Sequence, residues 1–151
     1  MHSNSELWQK VDETIKHRGW QLIYVYGDDH SLPFTYSVGA ALPSRPPLPE
    51  VIISNINPED SATLINDFLD YLSTGAEISE TIAYTEIANL PMYIRKLTPK
   101  QVEHHMTMTK AIHEDLSNIP LYQMVYPDPQ GIFPWEAGYN FPEQELLYLR
   151  T

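Results

Sequence analysis

Six histidines, 20 acidic residues and no cysteine bound the chemistry open to this chain of 151 residues. Without cysteine there is no thiol nucleophile, no disulfide framework and no cysteine-ligated zinc site. His104, His105 and His113 fall in one predicted helix. A helical zinc pair needs two histidines four residues apart, as in His-Glu-x-x-His, so that both project from one face. His105 and His113 are eight apart, about 80° around a helix, and the pattern is absent. The residues predict no metal and no cofactor. Serine hydrolysis needs a positioned Ser, His and carboxylate. Ser37 stands near Gly39 in a predicted strand, but no Gly-x-Ser-x-Gly elbow surrounds it. The six glycines are scattered and form no phosphate-cradling run before a helix. Asp28-Asp29 reads as a turn, where Asp bonds its own backbone.

Binding chemistry is better represented. Phe133-Pro134-Trp135-Glu136-Ala137-Gly138-Tyr139 has its backbone restricted by proline and carries large flat rings. It can serve as a lid that buries Trp135, or as a wall where Trp135 or Tyr139 stacks on a planar group and Glu136 accepts hydrogen bonds. The segment 34–39 offers the Tyr36 hydroxyl, Ser37, and a close backbone approach at Gly39. Arg95 and Lys96 point to opposite faces of a strand, and one directed inward needs an anionic partner. The ligand-binding set expected from sequence is Tyr36, Ser37, Gly39, Arg95, Asp128, Trp135, Glu136 and Tyr139, with the hook near the C-terminus and the second strand enclosing one recess. His105-Met106-Thr107 matches half of a two-histidine phosphodiesterase signature, but the second tripeptide is missing.

These residues must be carried by a small set of elements. Leu7, Trp8, Val11 and Ile15 recur at helical spacing; Lys16, His17 and Arg18 suit a helix C-terminus, and Gly19 a left-handed stop. Residues 20–26 and 34–38 read as strands joined by a short turn, hence antiparallel. Four prolines between 43 and 49 predict a rigid connector, followed by a short inner strand over 51–54. Asn57-Pro58-Glu59-Asp60 predicts a helix start, Ile65, Phe68, Leu69 and Leu72 its buried face, and Gly75 its end. Residues 92–97 read as a strand. Thr98-Pro99-Lys100-Gln101 predicts a capping box opening a helix to about residue 116, and residues 121–126 a final strand. The expectation is an α+β fold, a mainly antiparallel sheet of about five strands with three helices packed on it, in a single domain over 1–151.

The composition, 42% hydrophobic and 19% charged, is that of a folded chain rather than a disordered one. No apolar run approaches the roughly 18 residues needed to span a bilayer, and the first ten residues lack a secretory leader's apolar stretch; a cytoplasmic location is expected. The net charge is −11, and no Lys or Arg occurs between Arg45 and Arg95. Nucleic-acid binding and polyanionic membranes call for clustered cations, so both are disfavoured as partners. The acidic stretch, with Asp67 and Asp70 in it, would instead suit a solvated face or a basic protein partner.

Three phrases, taken in order, resemble the bacterial and phage family catalogued as domain-of-unknown-function family 4262. They are Arg18-Gly19-Trp20 leading into Tyr24-Val25-Tyr26-Gly27-Asp28, then Phe34-Thr35-Tyr36-Ser37-Val38-Gly39-Ala40, and Tyr126-Pro127-Asp128 continuing to Tyr139. The family pattern has His-Gly-Trp at the first, Phe-Ala-Tyr-Thr-Val-Gly-Leu at the second and Trp-Pro-Asp at the third, so Arg18, Thr35, Ser37, Ala40 and Tyr126 are departures. The resemblance spans about residues 15–140 and implies no activity.

With no local catalytic motif, the sequence points to a non-enzymatic protein that binds a small, nucleotide-like molecule. The family's occurrence in phages places capture of a host defence signal, or inhibition of a host protein, among the expectations. Two alternatives stand beside it. One is a hydrolase whose His and carboxylates meet only in space, with His105 or His113 near Asp28, Asp128 or Glu136. The other is an acidic protein-interaction module or inhibitor. An unused apolar helix face would also pair two copies into a homo-oligomer.

Overall fold

The computed structural model describes residues 6–42, 48–79, 84–87 and 90–151. The chain runs α1 (Glu6–Arg18), β1 (Gln21–Val25), β2 (Phe34–Val38), β3 (Glu50–Ser54), α2 (Pro58–Ser73), β4 (Tyr84–Ile87), β5 (Leu90–Lys96), α3 (Thr107–His113) and β6 (Leu121–Val125). The strand order is β1-β2-β3-β6-β5-β4. β3 and β6 pair in parallel, and the other neighbours are antiparallel. The fold is therefore α+β with a mainly antiparallel sheet. Five strands form its body. The four-residue β4, which the sequence reading passes over, joins the β5 edge with a register irregularity.

Two apolar cores lie on opposite faces of the sheet. On one, α2 buries Leu64, Ile65, Phe68, Leu69 and Leu72 against Val51, Ile53, Met92, Ile94 and Met124. On the other, Val11 of α1 packs with Tyr36, Val38, Ile52, Met106 and Leu147. Alternation in β2 decides this split: Tyr36 and Val38 face the α1 side, while Thr35 reaches Ser61 of α2 at 2.8 Å. Leu7, expected in the α1 stripe, is 52% exposed, and Trp8, Val11 and Ile15 make the contact. α2 starts as its sequence dictates, with Asn57 Oδ1 accepting from Asp60 N and Pro58 in the first turn. Gly39 has φ +96°, and a Cβ there would stand 2.7 Å from Ile15, so α1 can settle on β2 only over a glycine. The proline connector lies mostly outside the described residues; its end, Leu48 and Pro49, is buried.

The third helix differs from expectation. Its capping box forms, with Thr98 and Gln101 bonding reciprocally, but it opens only a 3-10 turn over Pro99–Val102. The chain then breaks at Met106, which has φ 42°, and α3 is just seven residues long. Tertiary capture explains the break. Met106 is fully buried, His105 packs 4.7 Å from the Phe34 ring, and Gln101 Nε2 donates to the carbonyls of Tyr148 and Arg150. A continuous helix would withdraw all of these groups at once, giving up the buried Met side chain, worth roughly 1.5–3 kcal/mol, together with the His105 and Gln101 contacts.

Candidate functional site

The sequence-derived residues fall into two groups that do not meet. Tyr36, Ser37 and Gly39 lie on β2 and its end, whereas Trp135 packs on Tyr93 of β5. β3 and β6 stand between those strands, a separation of about 14 Å at ordinary strand spacing. The single recess expected between β2 and the hook is therefore not formed. The parallel β3–β6 pair at the centre of the sheet, which leaves no local mark in the sequence, is the reason.

The β2 group surrounds Glu50, which is fully buried at the start of β3. Ser37 Oγ donates to Glu50 Oε1 at 2.7 Å and accepts from Val51 N. The backbone N–H groups of Gly39, Ala40 and Ala41 point at the same carboxylate at 2.9, 3.1 and 3.3 Å. His113 Nε2 stands 2.6 Å from Glu50 Oε2. Four donors, the Ser37 hydroxyl and three backbone N–H groups, thus converge on the two Glu50 oxygens. This is not the order of a hydrolytic triad: Ser37 bonds the acid, with the histidine on the far side. The Tyr36 hydroxyl accepts from Met108 N at 3.2 Å, and burial pushes its pKa above the usual tyrosine value.

The hook, residues 126–141, is braced by Asp128. Its Oδ1 accepts from Gln130 N and Ile132 N and its Oδ2 from Asn140 N, each at 2.9 Å. Burial pushes the Asp128 carboxyl up, but the N–H groups of Ile132, Asn140 and Gln130 together outweigh it and hold it below the ordinary value. Glu136, itself exposed, accepts from Phe133 N at 2.9 Å, and the Tyr139 hydroxyl donates to Pro142 O and accepts from Gln144. Phe133 and Trp135 stack with centroids 5.1 Å apart, and Tyr93 meets both edge-on. Phe133 is buried while Trp135 is 44% exposed. Arg95 lies over this group, its guanidinium carbon 4.6 Å from the Tyr93 centroid and 5.5 Å from that of Trp135. Arg95 and Trp135 are thus brought together, and Glu136 holds the turn beneath them.

A separate open cleft of about 620 Å³ lies beside the β1–β2 turn, lined by Asp28, His30, His104, His105, Glu145 and Arg150 among others. His105 Nε2 is 3.2 Å from Glu145 Oε1, and Arg150 pairs with the other carboxylate oxygen. Asp28 is spent on the turn, accepting from His30 N and Ser31 Oγ, and those bonds hold its carboxyl low. The histidines thus find acids other than Asp28, Asp128 and Glu136. Glu50 and Glu145, the acids they do find, carry no neighbouring motif that singles them out. Asp70 of the acidic stretch is paired with Arg18, which lies over Trp20. Among the described residues no group of three or more His, Asp or Glu could hold a metal, and no described helix is long and apolar enough to cross a membrane.

The fold is a small α+β one, a mainly antiparallel sheet flanked by helices and followed by the braced hook. Residues 14–140 match the family described as a domain of unknown function (DUF4262), and the chain belongs to that family. No curated protein and no solved structure matches it.

Proposed function

We propose that this protein is a non-catalytic small-molecule binder whose contact surface is the outer face of the hook, where Trp135 and Arg95 receive a planar ring bearing an anionic group, as in a nucleotide. The observation that carries the reading is the state of Trp135. Its indole is 44% exposed, yet it is held from beneath by the Phe133 stack and the Glu136 bond and flanked by a guanidinium. A core role would bury the ring. A pre-organised ring saves the entropy of ordering it on binding, and stacking a base on it is worth about 1–3 kcal/mol. Such a protein would suit sequestration of a nucleotide signal in conflict between phage and host.

Calorimetric titration with nucleoside 5′-phosphates and cyclic dinucleotides, together with native mass spectrometry of protein drawn from cells, tests this. Saturable heat that Trp135→Ala abolishes and Arg95→Gln weakens is the expected result. Absence of heat with every nucleotide, and unliganded protein from cells, would overturn it.

A second reading, hydrolysis at the cleft, is favoured by His105, whose Nδ1 is buried with no hydrogen-bond partner among the described residues while Nε2 faces Glu145. Phosphoester or acyl-ester turnover lost in His105→Gln would support it; no turnover of any such ester in the unaltered protein would remove it.

A further inference from the structure

The inner face of the hook forms a second site, independent of the Trp135 surface. A cavity of about 380 Å³ opens between the hook and the first turns of α2, within the size range of small-molecule pockets. Its walls are apolar and aromatic. Leu64 comes from α2, and Tyr126 and Phe141 meet edge-on with centroids 5.9 Å apart. Phe141 is 41% exposed, so it walls the opening instead of filling it.

Among the described residues the charges lining this cavity have one sign: Asp60 and Asp128 contribute carboxylates, and no Lys, Arg or His lines it. Asp128 is 97% enclosed and is met only by backbone N–H groups; among the described residues it makes no ion pair. Asp60 uses Oδ2 on the Asn57 amide, and Oδ1 has no partner among the described residues. The N-terminus of α2 offers little to an anion. Pro58 has no N–H, Asp60 N is capped by Asn57, and two acids already stand in the first turn. A cation entering here would meet the Asp60 carboxylate at the rim, the negative charge of the enclosed Asp128 behind it, and an aromatic wall.

We infer that this cavity binds a small organic cation, a primary ammonium on an apolar aryl or alkyl body. The apolar body lies against Leu64, Tyr126 and Phe141, and the ammonium donates to Asp60 Oδ1 at the rim. The chemistry is opposite in charge to that proposed for Trp135, so each site can fail without the other.

The test uses three probes of one shape: 2-phenylethylamine, 2-phenylethanol and 3-phenylpropionate, titrated into the full chain by calorimetry and by ¹⁵N-edited NMR. The amine is expected to bind with shifts confined to the hook and the start of α2. The alcohol should bind at least about tenfold more weakly, and the carboxylate should not bind. Salt should weaken the amine and leave the alcohol unchanged. Asp60→Asn should lower amine affinity roughly fivefold without affecting the alcohol. Thr63→Trp, an exposed rim position, should block both probes while the Trp135 surface keeps its response to nucleotides. Equal affinity for the three probes, no binding of the amine, or amine binding that survives Thr63→Trp would each overturn the inference.

Discussion

The His113 imidazole of α3 lies 2.6 Å from the fully buried carboxylate of Glu50, 63 residues earlier in the chain. That contact joins the end of the shortest helix to the first residue of the central strand β3. It also closes a ring of donors supplied by the segment after β2. One acid therefore sets the path of three chain segments, and its removal would leave Ser37 and three backbone N–H groups without an acceptor.

Glu50→Ala is expected to destabilise the protein by about 3–5 kcal/mol, the usual consequence of breaking a buried charged network. Glu50→Gln, which keeps one carbonyl acceptor, should cost less. Urea unfolding followed by far-UV circular dichroism measures both. Equal stability of Glu50→Ala and the unaltered chain would contradict the central role given to this residue.

Asp128 couples the hook to pH. Its folded-state pKa is depressed below the ordinary carboxyl value of 3.8. Such a group contributes stability that is fully present above the unfolded-state value and is lost as the pH falls through the lower folded-state value. Asp28 and Asp115 are depressed as well, by their turn hydrogen bonds, and act in the same sense. The denaturation midpoint should hold steady above about pH 5 and fall steeply below 4. Asp128→Asn should flatten that fall; an unchanged acid limb would show that the N–H groups of the hook do not hold the ionised form.

Phe133 and Trp135 should separate structure from binding. Phe133 is 5% exposed and Trp135 44%. Phe133→Ala removes a buried ring and should cost about 3–5 kcal/mol. Trp135→Ala should cost no more than about 1 kcal/mol while eliminating the nucleotide response. A Trp135 variant as unstable as the Phe133 variant would make the indole a structural lid, the other role its sequence allows.

Gly39→Ala combines an unfavourable φ of +96° with a Cβ placed 2.7 Å from Ile15. A loss of more than about 1 kcal/mol is expected. Ile15→Ala on top of it should restore only the steric part. Thermal melts of the two single variants and the double variant give the coupling.

Local patterns made much of the architecture legible. The Asn57-Pro58 start of α2, its apolar face, the paired β1 and β2 and the inner strands all follow from cap chemistry and periodicity, which act within a few residues. The same local rules misplace the third helix. Thr98 and Gln101 form their capping box, yet Met106 and His105 turn away to reach Leu147 and Glu145, contacts about 40 residues distant. β4 leaves little local signal, being four residues long and paired irregularly with β5.

For the site, the sequence by itself determined that the hook would be stiff and ring-rich, that the chain would be acidic, and that no thiol or helical zinc chemistry was open to it. These are properties of residue types and short spacings. Tertiary structure alone decided that Arg95 meets Trp135, that Ser37 and His113 share Glu50, and that β2 and the hook stand apart. Each of these depends on which strands neighbour one another. Strand order is set by burial summed over both faces of the sheet, a quantity that no window of sequence contains.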